Sequence, residues 1–559
     1  MPVLTDSRRL HGPSAWLDAP GVILEAGLHP HHADTELEAW RAHLEAMCPA
    51  IGWPAAGVVQ RHGVTAMLAV PAPVDALMTA ILINEWAWIA AATDGARRAD
   101  AELDPEDERL PTELAAAVER VRVLLAEEAN PPLMALEARA RAEQVPILLD
   151  DDRVSCGYGV HSVTWPRREL PPPDDVDWEM LRSVPVALVT GSNGKTTTVR
   201  MVAAMLAQAG HTVGFCCSDG VYIDGEEVER GDWSGPSGAR LVLRDQRVTA
   251  AVLETARGGL LRRGLVVPHA TAAIVTNVAV DHFGEYGIHS LDDLARTKLL
   301  VARALGPAGT LVLNAEDPTL RELPLHHPGP VAWFSASATP ATLPPLDEMP
   351  SVHGGAAAYN LLNAAGAALV AGALGVADMH IHETLTRFGE RNADNPGRLE
   401  RFSVGGVRVW IDYAHNPHGL SALLDVAQAA RGDGRMGLLL GQAGDRDDES
   451  LRALARAAWA AAPEVVVVKE MDEHLRGRQS GEVPTLLRAE LRAAGATDAQ
   501  LREAADELAG VRLLLEWCRQ GDLLVLPVHA LSARTAAIAL LTELEQCGWS
   551  AGEALPESP

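Results

Sequence analysis

The sequence predicts an α/β chain: two parallel-sheet units in series, preceded by a mixed α+β N-terminal region. Three observations predict it. Beyond about residue 175, short apolar runs alternate with amphipathic helical stretches, the pattern of strands covered on both faces by crossover helices. A glycine-bearing turn, Gly191-Ser192-Asn193-Gly194-Lys195-Thr196, leads from the first of those runs into a helical stretch. The same alternation restarts after Asn392 to Arg398, a segment rich in Asn, Asp, Pro and Gly.

The elements follow in order. Residues 1–175 contain amphipathic stretches at Asp34 to Met47 and Pro111 to Glu128 and a strand-like Val64 to Val70. Glu169 to Asp177, acidic and Pro-rich, reads as a linker. Residues 176–395 offer strands at Val184–Thr190, Thr212–Cys217, Val248–Glu254, Ala272–Val278 and Thr310–Asn314, with a helix over Val199 to Gln208. Residues 396–559 offer Val407–Tyr413, Met436–Leu440, Val465–Lys469 and Leu523–Pro527, and Gly552 to Pro559 reads as a loose tail.

Composition narrows the function. At 559 residues, 48% hydrophobic and 22% charged, the chain can bury several cores. A net charge of −28 argues against a nucleic-acid partner, which needs a basic surface to displace counterions. The longest apolar tract, Leu361 to Val376, carries Asn363 and reads as a buried helix, so no membrane partner is expected. With no basic segment followed by an apolar one at the N-terminus, the expected location is cytoplasmic. The six cysteines form no C-x-x-C pair and read as reduced core residues.

Of 47 basic residues, 44 are Arg, and the lysines are Lys195, Lys298 and Lys469. Such survivors mark places where a guanidinium cannot replace an ammonium, because only the ammonium is compact and able to lose its proton.

The strongest motif is the turn itself. A buried strand, a glycine turn and a helix start gather backbone N–H groups around a phosphate. Lys195 then pairs with the outer phosphates, Gly191, Ser192, Asn193, Gly194, Thr196 and Thr197 complete the cradle, and the Thr196 hydroxyl helps hold Mg²⁺. Val189 stands where the usual P-loop pattern has its first glycine.

This variant of the motif resembles that of the Mur ligases and their folylpolyglutamate synthetase relatives. Further segments match in the family's order. Glu254 ends an apolar run where the family places a magnesium-binding acid, and Thr276-Asn277 with Asp281-His282 resembles its T-N-x-x-x-D-H element. Lys298 matches a lysine that many members carboxylate with CO₂, and Asn314 to Asp317 resembles an N-A-[DE]-D strand end. Asn360 and Asn363 resemble H-N-x-x-N, with Tyr359 in place of its His. Arg398 lies in a G-R-x-E turn, and Asp412-Tyr413-Ala414-His415-Asn416-Pro417 is similar to the element that meets the nucleotide from the last domain.

Within the family the segments Ser218 to Ile223, Gly231 to Pro236, Glu254 to Arg263 and Lys469 to Arg478 look like the C-terminal, Mur-ligase-like half of the cyanophycin synthetases. The ATP-grasp module of those enzymes has no counterpart, since about thirty residues separate Gly159 from the Gly191 turn.

The resemblance implies a P-loop Mur-ligase central domain and a Rossmann-like C-terminal domain. It implies ATP and Mg²⁺ as cofactors, with Thr196, Glu254 and His282 on the metal and Asn277, Asn360, Arg398, Asp412, His415 and Asn416 about the nucleotide. Lys195, Glu254, His282, Lys298 and Arg398 form the expected catalytic set, with a carboxylated Lys298 supplying an extra oxygen. The reaction implied is amide-bond formation through an acyl phosphate, between a small-molecule or peptide carboxylate donor and an amino-acid acceptor. Asp219, Tyr222 and Trp233 are candidates for the donor, and Lys469, Arg476 and Arg478 for the acceptor. Two other classes stay open: a ligase taking ammonia from a partner glutaminase, and a non-catalytic nucleotide-binding scaffold. Self-association into a homo-oligomer stays open as well.

Overall fold

A computed structural model describes residues 3–94, 109–280, 283 and 285–556. The central unit is an eight-stranded sheet. From Val213–Cys217 at one side to Val331–Phe334 at the other, its six parallel strands run through Ala250–Glu254, Val186–Thr190, Ala270–Val275 and Leu305–Asn314. Every residue of Val186–Thr190 and of Ala250–Glu254 is buried, which explains their unbroken apolar runs. Helices Lys195–Gln208 and Ala358–Ala373 cover one face, their Val, Leu, Met and Ala side chains sharing a core with Val189, Val252 and Ile274.

The antiparallel pair Gly220–Ile223 and Glu226–Arg230 extends the sheet beyond Val213–Cys217. Its outer strand, all Glu, Val and Arg, is exposed throughout, so no apolar run announces it.

The C-terminal sheet has six strands, and Val407–Asp412, Leu523–Pro527, Met436–Leu440, Val465–Lys469 and Leu501–Ala504 are parallel. Glu400–Val404 is added antiparallel at the edge.

The N-terminal region holds an antiparallel four-stranded sheet in the order Val3–Leu10, Gly21–Gly27, Thr65–Pro71, Val58–His62, backed by helices Ala33–Ala50 and Leu77–Asp94. Leu10, Trp16, Ile23 and Met67 join the same core as Leu188, Leu253 and Leu265, so this sheet is packed onto the central unit rather than tethered to it. The backbone agrees: His11 N–H donates to Arg263 at 2.8 Å and Leu265 N–H to Pro13 at 2.7 Å.

Two expectations are corrected. The stretch read as a linker is seated: Leu170, Val176 and Trp178 pack on a small core beneath the sheet Ile147–Leu149, Arg153–Cys156, Val163–Pro166. The end read as a loose tail is held as far as residue 556, with Ala551 and Leu555 on the C-terminal core and the Trp549 indole donating to Glu553 O at 3.2 Å. Both packings join side chains distant in sequence, which local composition cannot register. Among the described residues no helix is long and apolar enough to cross a membrane.

Candidate active site

The chain between Thr190 and helix Lys195–Gln208 turns sharply, and two glycines make the turn fit. Gly194 precedes the helix at φ 81°, and a Cβ there would lie 2.2 Å from Asn363 Oδ1. A Cβ on Gly191 would meet Thr276 Oγ1 at 1.8 Å. The loop is tied to the next strand's end: Asn193 N–H donates to Asn277 Oδ1 at 3.0 Å, and Thr276 Oγ1 donates to Asn193 O at 2.6 Å. Lys195 Nζ donates to Ser192 O at 3.1 Å.

Behind the loop, the Thr196 hydroxyl donates to Glu254 Oε2 at 2.8 Å and lies 3.1 Å from Ser218 Oγ. Glu254 is 3% exposed. Burial pushes its carboxyl above the usual range, while the Lys195 charge and the Thr196 bond pull the other way.

The C-terminal unit closes over this corner. Arg398 Nη2 donates to Ser218 Oγ at 3.0 Å and reaches Thr196 Oγ1 at 3.5 Å, its guanidinium 4.3 Å from the centre of the Tyr413 ring. Asn416 Nδ2 donates to Asn193 Oδ1 at 2.9 Å, and His418 Nδ1 lies 3.1 Å from Asn193 Nδ2. Asp412 accepts from Leu399 N–H at 2.7 Å and Ala414 N–H at 2.8 Å; burial raises its pKa, with Arg398 opposing.

All three parts of the chain line one cavity of about 1560 Å³. The expected residues of the loop, from Gly191 to Thr197, line it together with Glu254, Asn277, Lys298, Asn360, Arg398, Asp412 and His415. Lys298, on helix Leu291–Leu299, is 2% exposed and keeps contacts of its own. Asp281 and His282 lie outside the described residues.

The substrate candidates are placed differently. Asp219, Tyr222 and Trp233 do not line the cavity. Asp219 pairs with Arg534 at 2.7 Å and Arg200 at 3.6 Å; burial works against its carboxylate, but Arg398, Arg534 and Arg200 outweigh it and hold the pKa low. It therefore joins the central and C-terminal units. Tyr222 stacks on Phe215 at 4.7 Å beneath Arg200, and Trp233 packs against the central core.

Lys469 is 1% exposed, paired with Glu507, and donates to Pro527 O at 2.5 Å. Arg478 is drawn off to Glu482 at 2.7 Å and Asp448 at 2.8 Å. Of the three acceptor candidates only Arg476, paired with Asp445, lines the cavity.

Ser218, His418, Gln442 and His529 also line the cavity and are not among the site candidates that the sequence offers. Ser218 had a signal, since it stands one residue beyond the buried strand Val213–Cys217, as Glu254 stands at the end of the buried strand Ala250–Glu254.

Residues 189–343 match the Mur ligase middle domain and residues 397–527 the Mur ligase glutamate ligase domain, together just over half of the chain. Cyanophycin synthetase of Crocosphaera subtropica is 35% identical over 333 residues, covering 54% of this chain and 38% of that one. The chain thus spans well under half the length of that relative. The UDP-N-acetylmuramoyl-L-alanyl-D-glutamate–2,6-diaminopimelate ligase of Corynebacterium glutamicum is 29% identical over 368 residues, 60% of this chain and 68% of that one. The solved structure of E. coli FolC in complex with ADP superposes at a TM-score of 0.48 and 19% identity, covering 65% of this chain and 90% of that one. With both family domains in chain order about the lysine loop and its closing arginine, the chain belongs to the Mur ligase family.

Proposed function

We propose that this chain phosphorylates a donor carboxylate with ATP at the Gly191–Thr197 loop and joins the resulting acyl group to an amino acid. The observation that carries the reading is Arg398. A guanidinium from the C-terminal unit sits 3.0 Å from Ser218 Oγ and 3.5 Å from Thr196 Oγ1, inside the corner formed by the loop and the Glu254 strand end. Phosphoryl transfer is mostly positioning and charge neutralisation, and this corner gathers both.

A carboxylate reacts poorly with an amine because its oxygen is a poor leaving group. Attack of the donor carboxylate on the γ-phosphorus breaks the bond to ADP and gives an acyl phosphate, and the amine then displaces phosphate. Lys195 and Arg398 stand where charge builds on the transferring group, while the Asn193 contacts of Asn416 and His418 hold the C-terminal unit against the loop. Such contacts between units tie turnover to closing and opening.

The oxygens of Thr196 and Glu254, 2.8 Å apart and buried, fit a hard cation such as Mg²⁺. When bound, Mg²⁺ neutralises phosphate charge. Lys298, buried yet on the cavity wall, fits the family's carboxylated lysine, which would add one more oxygen there. Arg476 is the acceptor residue the cavity favours, as a fork for an α-carboxylate.

The test is ADP release across a panel of carboxylate donors and amino acids, with ¹⁸O in the donor carboxylate. The label is expected in the released phosphate. AMP and pyrophosphate as products would replace this mechanism with an adenylating one.

A further inference from the structure

Arg398 reaches the phosphate corner from a turn that does not hold itself. Gly397 and Leu399, on either side of it, stand at φ 66° and φ 54°, in the left-handed region that a leucine seldom adopts. Such a backbone persists where its surroundings hold it in place. Three contacts do so. Leu399 N–H donates to Asp412 Oδ2 at 2.7 Å, and Gly397 N–H donates to Glu400 Oε2 at 2.8 Å. The third is Arg534, packed so closely on Gly397 that a Cβ there would lie 2.7 Å from the Arg534 Cδ and Cζ.

Arg534 is 4% exposed, projects from helix Leu531–Gln546 and does not line the cavity. Any effect it has on the reaction therefore passes through another residue. Its Nη2 donates to Asp219 Oδ1 at 2.7 Å, and Asp219 directly follows Ser218, whose hydroxyl accepts from Arg398 Nη2 at 3.0 Å. Arg398 Nη1 donates to Gly397 O at 3.1 Å. These contacts close a ring through Ser218, Asp219, Arg534, Gly397 and Arg398. The ring fixes both the turn from which Arg398 springs and the hydroxyl that it reaches.

Charge supports the same arrangement. Arg534 serves two buried acids, Asp219 and Glu400. Burial works against the carboxylate form of both, and the Arg534 charge favours it. The next residue of the helix, Thr535, accepts from Arg230 Nη2 at 3.0 Å on the exposed side. That contact joins the same two units outside the ring.

We propose that Arg534 is a positioning residue for phosphoryl transfer, setting the Arg398 guanidinium against Ser218 through Gly397 and Asp219. The proposal rests on the ligase reading for what Arg398 does, and the way the turn is held is tested apart from that reading.

Arg398 stands where charge builds on the transferring group, so its misplacement lowers kcat rather than ATP binding. ADP release is followed with the donor and amino acid that react fastest in the panel above. In Arg534→Met, kcat is expected to fall about 10- to 100-fold, the scale of a small misplacement near the chemistry, with the KM for ATP within about threefold. Arg534→Lys, which keeps the charge, should recover part of that loss. Arg398→Met/Arg534→Met is expected to be no slower than Arg398→Met alone, because Arg534 acts through Arg398. Arg230→Ala, which cuts only the Thr535 contact, should match the unmodified chain.

Hydrogen exchange of the full chain needs no substrate. The Gly397 and Leu399 amides are expected to exchange faster in Arg534→Met, while strands Val186–Thr190 and Leu523–Pro527 keep their protection. If Arg534→Met does not fold, Asp219→Asn, which removes the charge at the other end of the pair, carries the same comparisons. Additive losses in the double variant, an equal loss in Arg230→Ala, or unchanged exchange at the turn overturns the proposal. Faster exchange at the turn, with no ADP released by the unmodified chain, would uphold the positioning and sink the ligase reading instead.

Discussion

Lys195 and Lys469 occupy similar places, each at or just beyond the carboxyl end of a parallel strand, Val186–Thr190 and Val465–Lys469. Their surroundings differ sharply. Lys195 is half-buried, begins a helix and lines the cavity. Lys469 is sealed against Glu507, whose two carboxylate oxygens also accept from His529 N–H at 2.9 Å and Ala530 N–H at 2.8 Å. His529 in turn approaches Ala414 O at 3.0 Å through Nε2. One lysine faces the cavity; the other props up a segment that lines it. Scarcity of lysine marks where an ammonium is required, while the neighbours decide whether it binds or supports.

The contrast is tested most strongly at Lys195. Lys195→Ala is expected to lower ADP release by about 100- to 1000-fold, the scale of losing one preorganised charge-stabilising donor. Its unfolding midpoint in urea should stay near that of the unmodified chain. An active Lys195→Ala chain with native circular dichroism would end the phosphate assignment.

Lys469→Met should invert that pattern. Removing one partner of a buried ion pair leaves Glu507 uncompensated and costs about 3–5 kcal/mol in urea unfolding. Pairing it with Glu507→Gln should recover part of the loss, and a stable single variant would show that the pair is not the prop described.

The same cluster sets an acid limb. Burial and the Lys469 charge hold His529 down to about 3, below its ordinary 6.5, so the unfolded chain binds a proton there that the folded chain refuses. Stability is therefore expected to fall as pH drops below 6.5, by up to about 1.4 kcal/mol per pH unit from this group. Glu507 is brought to about 2 against the effect of burial, chiefly by Lys469, and its contribution, complete above 4.5, is lost below that. Urea midpoints between pH 7.5 and 4 measure this, and His529→Asn should flatten the upper part of the slope. No flattening would remove His529 from the account.

The smallest effect separates the two arginines near the acceptor end. Arg476→Ala is expected to raise the amino-acid KM severalfold. Arg478→Ala, which removes ion pairs to Asp448 and Glu482 and hydrogen bonds to Gly444 O and Arg446 O, should change KM less than Arg476→Ala and cost about 1–3 kcal/mol of stability. A larger KM effect at Arg478 would reverse the assignment.

The parallel strands were legible because strands buried on both faces are apolar at nearly every residue: Met436–Leu440, Val465–Lys469 and Leu523–Pro527 coincide with the runs read from sequence. Glu226–Arg230 was not legible, because its exposed residues carry no apolar signal and its pairing with Gly220–Ile223 holds it in place. Asp219 shows the limit at single residues. Its neighbours in sequence pointed to a ligand, whereas its partners, Arg200 and Arg534, lie 19 and 315 residues away.

By itself the sequence determined the lysine loop, the order of the strand-end motifs and the two-unit α/β plan, because each is written in consecutive residues whose backbone and burial demands are local. Only the tertiary structure decided which lysine is sealed and which faces the cavity. It alone brought Arg398 to Ser218 across 180 residues and set Arg8 beside a helix more than 240 residues further on. Desolvation and ion pairing depend on distance in space, and the chain's order does not record that distance until it has folded.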